Sequence, residues 1–251
     1  EELKNKLKSE VRAVAVMNTN NVIGAIEPIE NIARTIREFE KEIKHKISFF
    51  SDSVQALGKT GLDLRACDVD AASFSAHKIN GPRGVGLLYL KTPERFRAAA
   101  PAGGQEKGKR GGTENLAGIA GFEAALREWT EERDANEEKI RECNAFLRDG
   151  ISSLGYRILS PSHDTTPYIL SISQNLPSEV FTRMLADKGF CVSSGSACSN
   201  NAKGKSEGIL EAMGIRGKYA RSAIRLSFSK DQRLEDAKLL MKAIEEIKNN
   251  G

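Results

Sequence analysis

Short apolar runs alternate with longer stretches of three- and four-residue periodicity along this chain, which is the pattern of an α/β protein. Residues 11–17 (VRAVAVM) predict a buried strand, and the polar stretch NTNNVIG after it predicts a turn. Pro28 then opens a helix whose apolar positions Ile29, Ile32, Ile36, Phe39 and Ile43 fall on one side. Further strands are expected at 47–51 (ISFFS), 71–76 (AASFSA) and 85–91 (VGLLYLK). The tract PAGGQEKGKRGGT at 101–113 is Gly-rich and basic and reads as a loop.

A long helical stretch follows, from about 114 towards 149, apolar at first and then charged around EWTEERDANEEK. A helix that passes from core to solvent in this way links two domains, and the boundary falls near Thr130. The remainder reads as an α+β unit. Its strands are expected at 156–159, 168–173, 191–193 and 223–228, and its helices at 178–187 and 234–247. The expected domains are therefore 1–130 and 131–251.

Composition narrows the function classes. The 251 residues are 39% hydrophobic, enough for a sizeable core. No window reaches the roughly 18 consecutive apolar residues of a membrane helix, and a net charge of +4 gives weak grounds for a nucleic-acid partner. The four cysteines form no CxxC pair, which argues against a zinc knuckle or a disulfide scaffold and fits a reducing, cytoplasmic setting. The opening EELKNKLKSE carries neither Met nor an apolar signal core, so secretion is not expected and residues upstream are expected to be missing.

Three segments carry chemistry. In SFSAHKINGPRGVGLLYL (73–90) a strand delivers Ser75, His77 and Lys78 to a turn. A lysine there is either a surface residue before a β-turn or a partly desolvated amine, usable as a nucleophile towards an aldehyde. In FCVSSGSACSNN (190–201) small polar residues present Cys198, and such a loop gives a thiol access and freedom to move. Arg225 in SAIRLSFS (222–229) either faces solvent or is buried with an anion, and its fork suits a carboxylate. Asp52, alone, is a turn former or helix cap as readily as a functional acid. Cys191 is expected to be a buried structural thiol, Cys67 and Cys143 structural or surface residues, and His45 and His163 exposed. No metal site is read.

Together these segments resemble the cysteine desulfurases of the class V aminotransferase group, pyridoxal-phosphate enzymes of fold type I, over nearly the whole chain. The resemblance is closest to the subgroup whose SSGSAC cysteine lies on a long catalytic loop. It implies an α/β large domain with a mostly parallel sheet and helices on both faces, lacking its N-terminal part (1–130), and a smaller α+β domain bearing the cysteine loop (131–251). It implies that Lys78 carries pyridoxal 5'-phosphate, that Asp52 faces the pyridine nitrogen, and that Gln55 and Asn20 lie near the ring hydroxyl. It assigns Ser75, His77 and Thr113 to the phosphate, Arg225 and Asn20 to the substrate carboxylate, and Cys198 to the sulfur of L-cysteine. A homodimer is implied, with a sulfur-accepting protein such as an iron–sulfur scaffold as partner. A class V aminotransferase or selenocysteine lyase, and a fragment that only binds partners, are the alternatives.

Overall fold

The computed structural model describes residues 2–99, 103–194 and 208–250. The chain divides into two compact units, one made of Glu1–Thr19 with Glu27–Glu132, the other of Asn20–Ile26 with Arg133–Gly251.

In the first unit, α1 (Glu2–Lys6) precedes β1 (Ala13–Met17), and α2 (Ile29–Ile43) buries Ile29, Ala33 and Ile36. Then come β2 (Ser48–Asp52), β3 (Ala71–Ser75), β4 (Gly86–Leu90) and α3 (Leu116–Glu131). The sheet order is β1-β2-β3-β4, parallel from β1 to β3, with β4 antiparallel to β3. The β3–β4 reversal can be tight because position 86 is glycine: a Cβ there would lie 2.6 Å from the Phe74 carbonyl oxygen. Gly58 serves packing in the same unit. It sits at φ +73, and a Cβ would meet the Trp129 ring at 2.8 Å.

The connection into β3 is clamped by Arg37 of α2. Its guanidinium donates to Asp68 Oδ2 at 3.1 Å, Asp70 Oδ2 at 2.9 Å, Glu40 Oε1 at 2.9 Å and the Ile47 carbonyl at 3.0 Å. Burial alone would lower the Arg37 pKa, but the Asp70, Asp68 and Glu40 carboxylates outweigh it and raise it above its ordinary value. The Asp70 carboxylate also accepts the Phe49 amide at 2.8 Å, so one acid ties α2 to the backbone of β2.

The second unit contains α4 (Arg133–Ser153), β5 (Arg157–Ile158), β6 (Ile169–Ser173), α5 (Ser178–Asp187) and β7 (Ser193–Ser194). It closes with α6 (Gly208–Ala212), α7 (Lys218–Arg221), β8 (Ala223–Ser227) and α8 (Leu234–Asn250). Its sheet is antiparallel throughout, in the order β5-β6-β8-β7. Every residue of β6 is buried. α4 packs along α8, where Gly150 lets Met241 approach; a Cβ would stand 2.7 Å from its sulfur. Burial, with the Glu137 carboxylate adding to it, pushes the Tyr168 phenol in this core up to about 12.

The sequence pattern and the structure differ in several places. The long helix expected from 114 is two helices, broken at Glu132 (φ −99, ψ 2), with Asp134 in the first turn of α4 where a carboxylate suits the positive helix end. The loop over 101–113 contains a 3-10 turn at Gln105–Gly108, with Glu106 and Lys107 in left-handed backbone. Cys191, expected to be buried, is exposed, because the strand there is only Ser193–Ser194 and the cysteine lies before it. His45 is half-buried rather than exposed, its Nε2 hydrogen-bonded to the Ser9 carbonyl at 2.8 Å.

The turn after β1 also changes its allegiance. Asn20–Ile26 joins the second unit through a bridge from Ala25 to Thr165, and Ile23 packs with Leu159, Leu210, Ile215 and Ala223. No helix among the described residues is long and apolar enough to cross a membrane.

Candidate active site

The residues singled out by sequence lie in both units, and the first unit holds most of them. β1, β2 and β3 run parallel, so their carboxyl ends lie at one edge of the sheet, the place where open α/β sheets bind ligands. Asp52 is the last residue of β2 and Ser75 the last of β3. The register pairs Asp52 with Ser73, and neighbours in register share a face, so Asp52, Ser73 and Ser75 project from the same side. Ser73 was not singled out by sequence, because its place beside Asp52 depends on strand register, which the pattern of one strand does not contain.

β3 passes directly into a 3-10 turn over Ala76–Ile79 that carries His77 and Lys78. Ala76 and Ile79 anchor the turn by burial, which leaves His77 exposed and Lys78 half-buried. Asn80 closes it in left-handed backbone at φ 65, its N–H returning to the Ala76 carbonyl. An amine held on a short turn between two buried anchors is positioned by the fold rather than by its own flexible stem.

After β2, the Asp52 Oδ1 accepts the Val54 amide at 3.1 Å, which forms the turn that presents Gln55. Gln55 in turn accepts from Lys59 Nζ at 3.2 Å. The turn-former reading of Asp52 and the functional one therefore coexist: one oxygen makes the turn. Thr113 lies exposed in the loop before α3, and its carbonyl accepts from Arg110 at 3.4 Å.

In the second unit, Arg225 of β8 is half-buried and bonded to neutral oxygens. Its nitrogens donate to the Asn21 carbonyl at 2.9 Å, Ser193 Oγ at 3.1 Å and Ser227 Oγ at 3.2 Å. Ser193 stands opposite Arg225 in the β7–β8 register, and Ser227 is two residues along the same strand face. Among the described residues no carboxylate pairs with this cation. A half-buried guanidinium held open by hydroxyls and a carbonyl is shaped to receive an anion. Ser227 could have been found from the i, i+2 spacing; Ser193 could not.

Asn20, in the same unit, turns its Oδ1 to the amides of Val22 at 2.8 Å and Ile23 at 3.1 Å. Its carbonyl oxygen is thus committed to the turn, and its amide nitrogen is the end left to meet a ligand. Cys198 lies outside the described residues. Burial raises the thiol pKa of Cys67, with Glu30 adding to it, and likewise of Cys143 with Glu142, so both are held as neutral thiols.

A carboxylate at the end of β2, hydroxyls on the neighbouring strand and an amine and imidazole on the turn beyond form a donor set for an aromatic nitrogen base bearing an anionic group and an aldehyde. These residues fit pyridoxal phosphate in kind: carboxylate for pyridinium, amine for aldehyde, hydroxyl and imidazole for phosphate.

Residues 1–240 match the family described as aminotransferase class-V, and the chain belongs to that family. More particularly, it is similar to the NifS/IcsS protein homolog of Lactobacillus delbrueckii subsp. bulgaricus, with 36% identity over 98% of this chain and 64% of that protein. It is 31% identical to the putative cysteine desulfurase IscS 1 of Bacillus subtilis, over 98% of this chain and 64% of that one. A solved NifS-like protein superposes with a TM-score of 0.89 at 32% identity, covering 100% of this chain and 64% of that chain. A NifS-like protein from Rickettsia africae gives 0.85 at 28% identity, over 99% and 65%. The fold is that of these type I enzymes, and the chain spans just under two thirds of the length of the relatives it matches.

Proposed function

We propose that this protein is a cysteine desulfurase that uses pyridoxal phosphate to convert L-cysteine to L-alanine, with the sulfur received by Cys198. The observation that carries the reading is the alignment of Asp52, Ser75 and Lys78 at the carboxyl ends of β2 and β3, in a chain whose family and named relatives are of this kind. Residues 1–130 form the cofactor-binding part and 131–251 a small domain bearing the cysteine loop.

When bound, pyridoxal phosphate supplies an electron sink that weakens the substrate's C–S bond. The chain's own residues do the remaining work. Lys78 would hold the cofactor through its aldehyde carbon and, once its amine is free again, would move a proton at the substrate Cα. Asp52 keeps the ring nitrogen protonated, and Ser75, His77 and Thr113 hold the phosphate. Gln55 and the Asn20 amide bond the ring hydroxyl. Arg225, freed of one of its neutral oxygens, takes the substrate carboxylate. Cys198 attacks the substrate sulfur; the C–S bond breaks, L-alanine leaves, and Cys198 is left as a persulfide. A protein acceptor, an iron–sulfur scaffold or a thiolation carrier, then receives the sulfur, and the enzyme works as a cytoplasmic homodimer.

Intact-mass measurement after borohydride reduction tests the cofactor assignment: one pyridoxyl phosphate adduct is expected on the chain and none on Lys78→Ala. Sulfide release from L-cysteine in the presence of thiol tests the reaction, with Cys198→Ala expected to abolish it. An adduct that survives Lys78→Ala overturns the first assignment. Turnover that survives Cys198→Ala makes the protein an aminotransferase-type enzyme instead.

A further inference from the structure

Two guanidinium groups in this chain are held in opposite ways. Arg37 bonds three carboxylates, those of Asp68, Asp70 and Glu40, besides the Ile47 and Asp68 carbonyls. Its charge is matched within the first unit. Arg225 makes three hydrogen bonds, all to neutral oxygens: from Nε to Ser227 Oγ, from Nη2 to Ser193 Oγ and from Nη1 to the Asn21 carbonyl. A guanidinium fixed in place with its charge unmatched is prepared for an anion, because the entropy of ordering a long side chain is lost before the ligand arrives.

The three oxygens are not equivalent. A carbonyl oxygen only accepts, whereas a serine hydroxyl accepts through its lone pairs and donates through its own proton. Neither the Ser193 nor the Ser227 hydroxyl proton has an acceptor among the described residues. When a carboxylate arrives, both hydroxyls can therefore keep their bonds to Arg225 and turn their protons to the anion. The Asn21 carbonyl, negative against negative, is the oxygen that gives way. The N–H groups then left lie on the two terminal nitrogens, the pair that a carboxylate bonds with both of its oxygens.

Strand geometry places both serines. Ser193 stands opposite Arg225 in the β7–β8 pairing, and Ser227 follows Arg225 at i+2 on the same face. Ser171 faces Arg225 from β6 in the same way, but its hydroxyl donates to the Ile224 carbonyl at 3.3 Å instead of holding the cation.

We propose that Ser193 and Ser227 are positioning residues that set the affinity of Arg225 for a carboxylate, by holding its guanidinium through neutral hydroxyls that leave its charge to the ligand. This role presupposes Arg225 as the receptor of the substrate carboxylate. An acid in place of either serine would satisfy the cation from within, as Asp68 and Asp70 satisfy Arg37, and close the site to substrate.

NMR of the isotope-labelled chain tests this, following the Arg225 Nε–H resonance (identified by its absence in Arg225→Lys) during titration with acetate, a bare carboxylate. A saturable shift is expected in the parent. Ser193→Ala combined with Ser227→Ala is expected to weaken acetate binding about tenfold, whereas Ser227→Thr, which keeps the hydroxyl, should stay within about twofold of the parent. Ser227→Asp should abolish the shift while its urea midpoint is no lower than the parent's. Ser171→Ala should leave the affinity within about twofold, even if its midpoint falls. A parent shift that persists unchanged in the double variant or in Ser227→Asp overturns the role of the serines and leaves Arg225 as the receptor. A loss of affinity in Ser171→Ala equal to that of the double variant overturns it too, by reducing the serines to support of the strand. No shift in the parent removes Arg225 from the carboxylate site, and the role of the serines falls with it. Borohydride trapping on Lys78 is scored separately, so the cofactor reading stands or falls on its own result.

Discussion

The two sheets of this chain are built from similar numbers of strands and reach opposite states. In the second unit, β6 is buried along its whole length and sits between β5 and β8. In the first, β2 and β3 bury alternate residues on one face, whereas β1 and β4 bury none and no strand position on the other face is fully buried. An antiparallel sheet can stand with one face wet, but a parallel one is normally covered twice. The second unit thus buries a whole strand, whereas the first keeps Met17, Phe50, Leu88 and Leu90 only partly buried or exposed. The strand ends that carry Asp52 and Ser75 are on the first sheet.

That contrast breaks if core and edge substitutions act alike. The largest effect is expected at Phe181, fully buried in the second unit: Phe181→Ala should cost about 3–5 kcal/mol. Leu88→Ala on the open face should change stability by no more than about 0.5 kcal/mol. Urea denaturation followed by circular dichroism checks both, and a large cost at Leu88 would show that the first sheet's open face is already covered.

A smaller loss is expected where the first unit is well packed. Gly58→Ala meets Trp129 and also places a side chain at φ +73, so about 1–3 kcal/mol should be lost. Trp129 fluorescence should shift with it. If Gly58→Ala proves neutral, the covered side of this sheet is as loosely held as the open one.

A further effect concerns acid. Hydrogen bonding to Lys91 holds the Asp68 carboxyl below its usual pKa despite some burial, with Arg37 assisting. A folded-state pKa below the unfolded one gives stability that is present above the unfolded value, about 3.9, and is lost as pH falls through the folded value. Both side chains are more than a third exposed, so the loss should not exceed about 1 kcal/mol. Urea midpoints of the parent and Asp68→Asn should therefore converge as pH drops from 5 towards 3. Midpoints that stay parallel would show that the ion pair contributes nothing to the first unit.

Element type was legible wherever one periodicity dominated. The spacing of Ile29, Ile32 and Ile36 wrote α2, and the apolar run at 13–17 wrote β1, because local pattern and burial agree there. The short helices α6 and α7, with five and four residues, had no such pattern to show. Burial was misread at Cys191 because a two-residue strand buries little. The long helix was read as one because nothing in TEERDAN forbids helical backbone; the break at Glu132 separates two units that each hold their own helix.

By itself the amino-acid order determined the α/β class and the family, and it singled out Lys78, Asp52 and Arg225 as candidates, because motif and spacing are local properties of the chain. Tertiary structure decided what those residues touch. Register alone set Ser73 beside Asp52 and Ser193 against Arg225. It also sent Asn20–Ile26 into the second unit and left no strand position on the face of Asp52 fully buried, since which surfaces are covered depends on contacts between segments far apart in the chain.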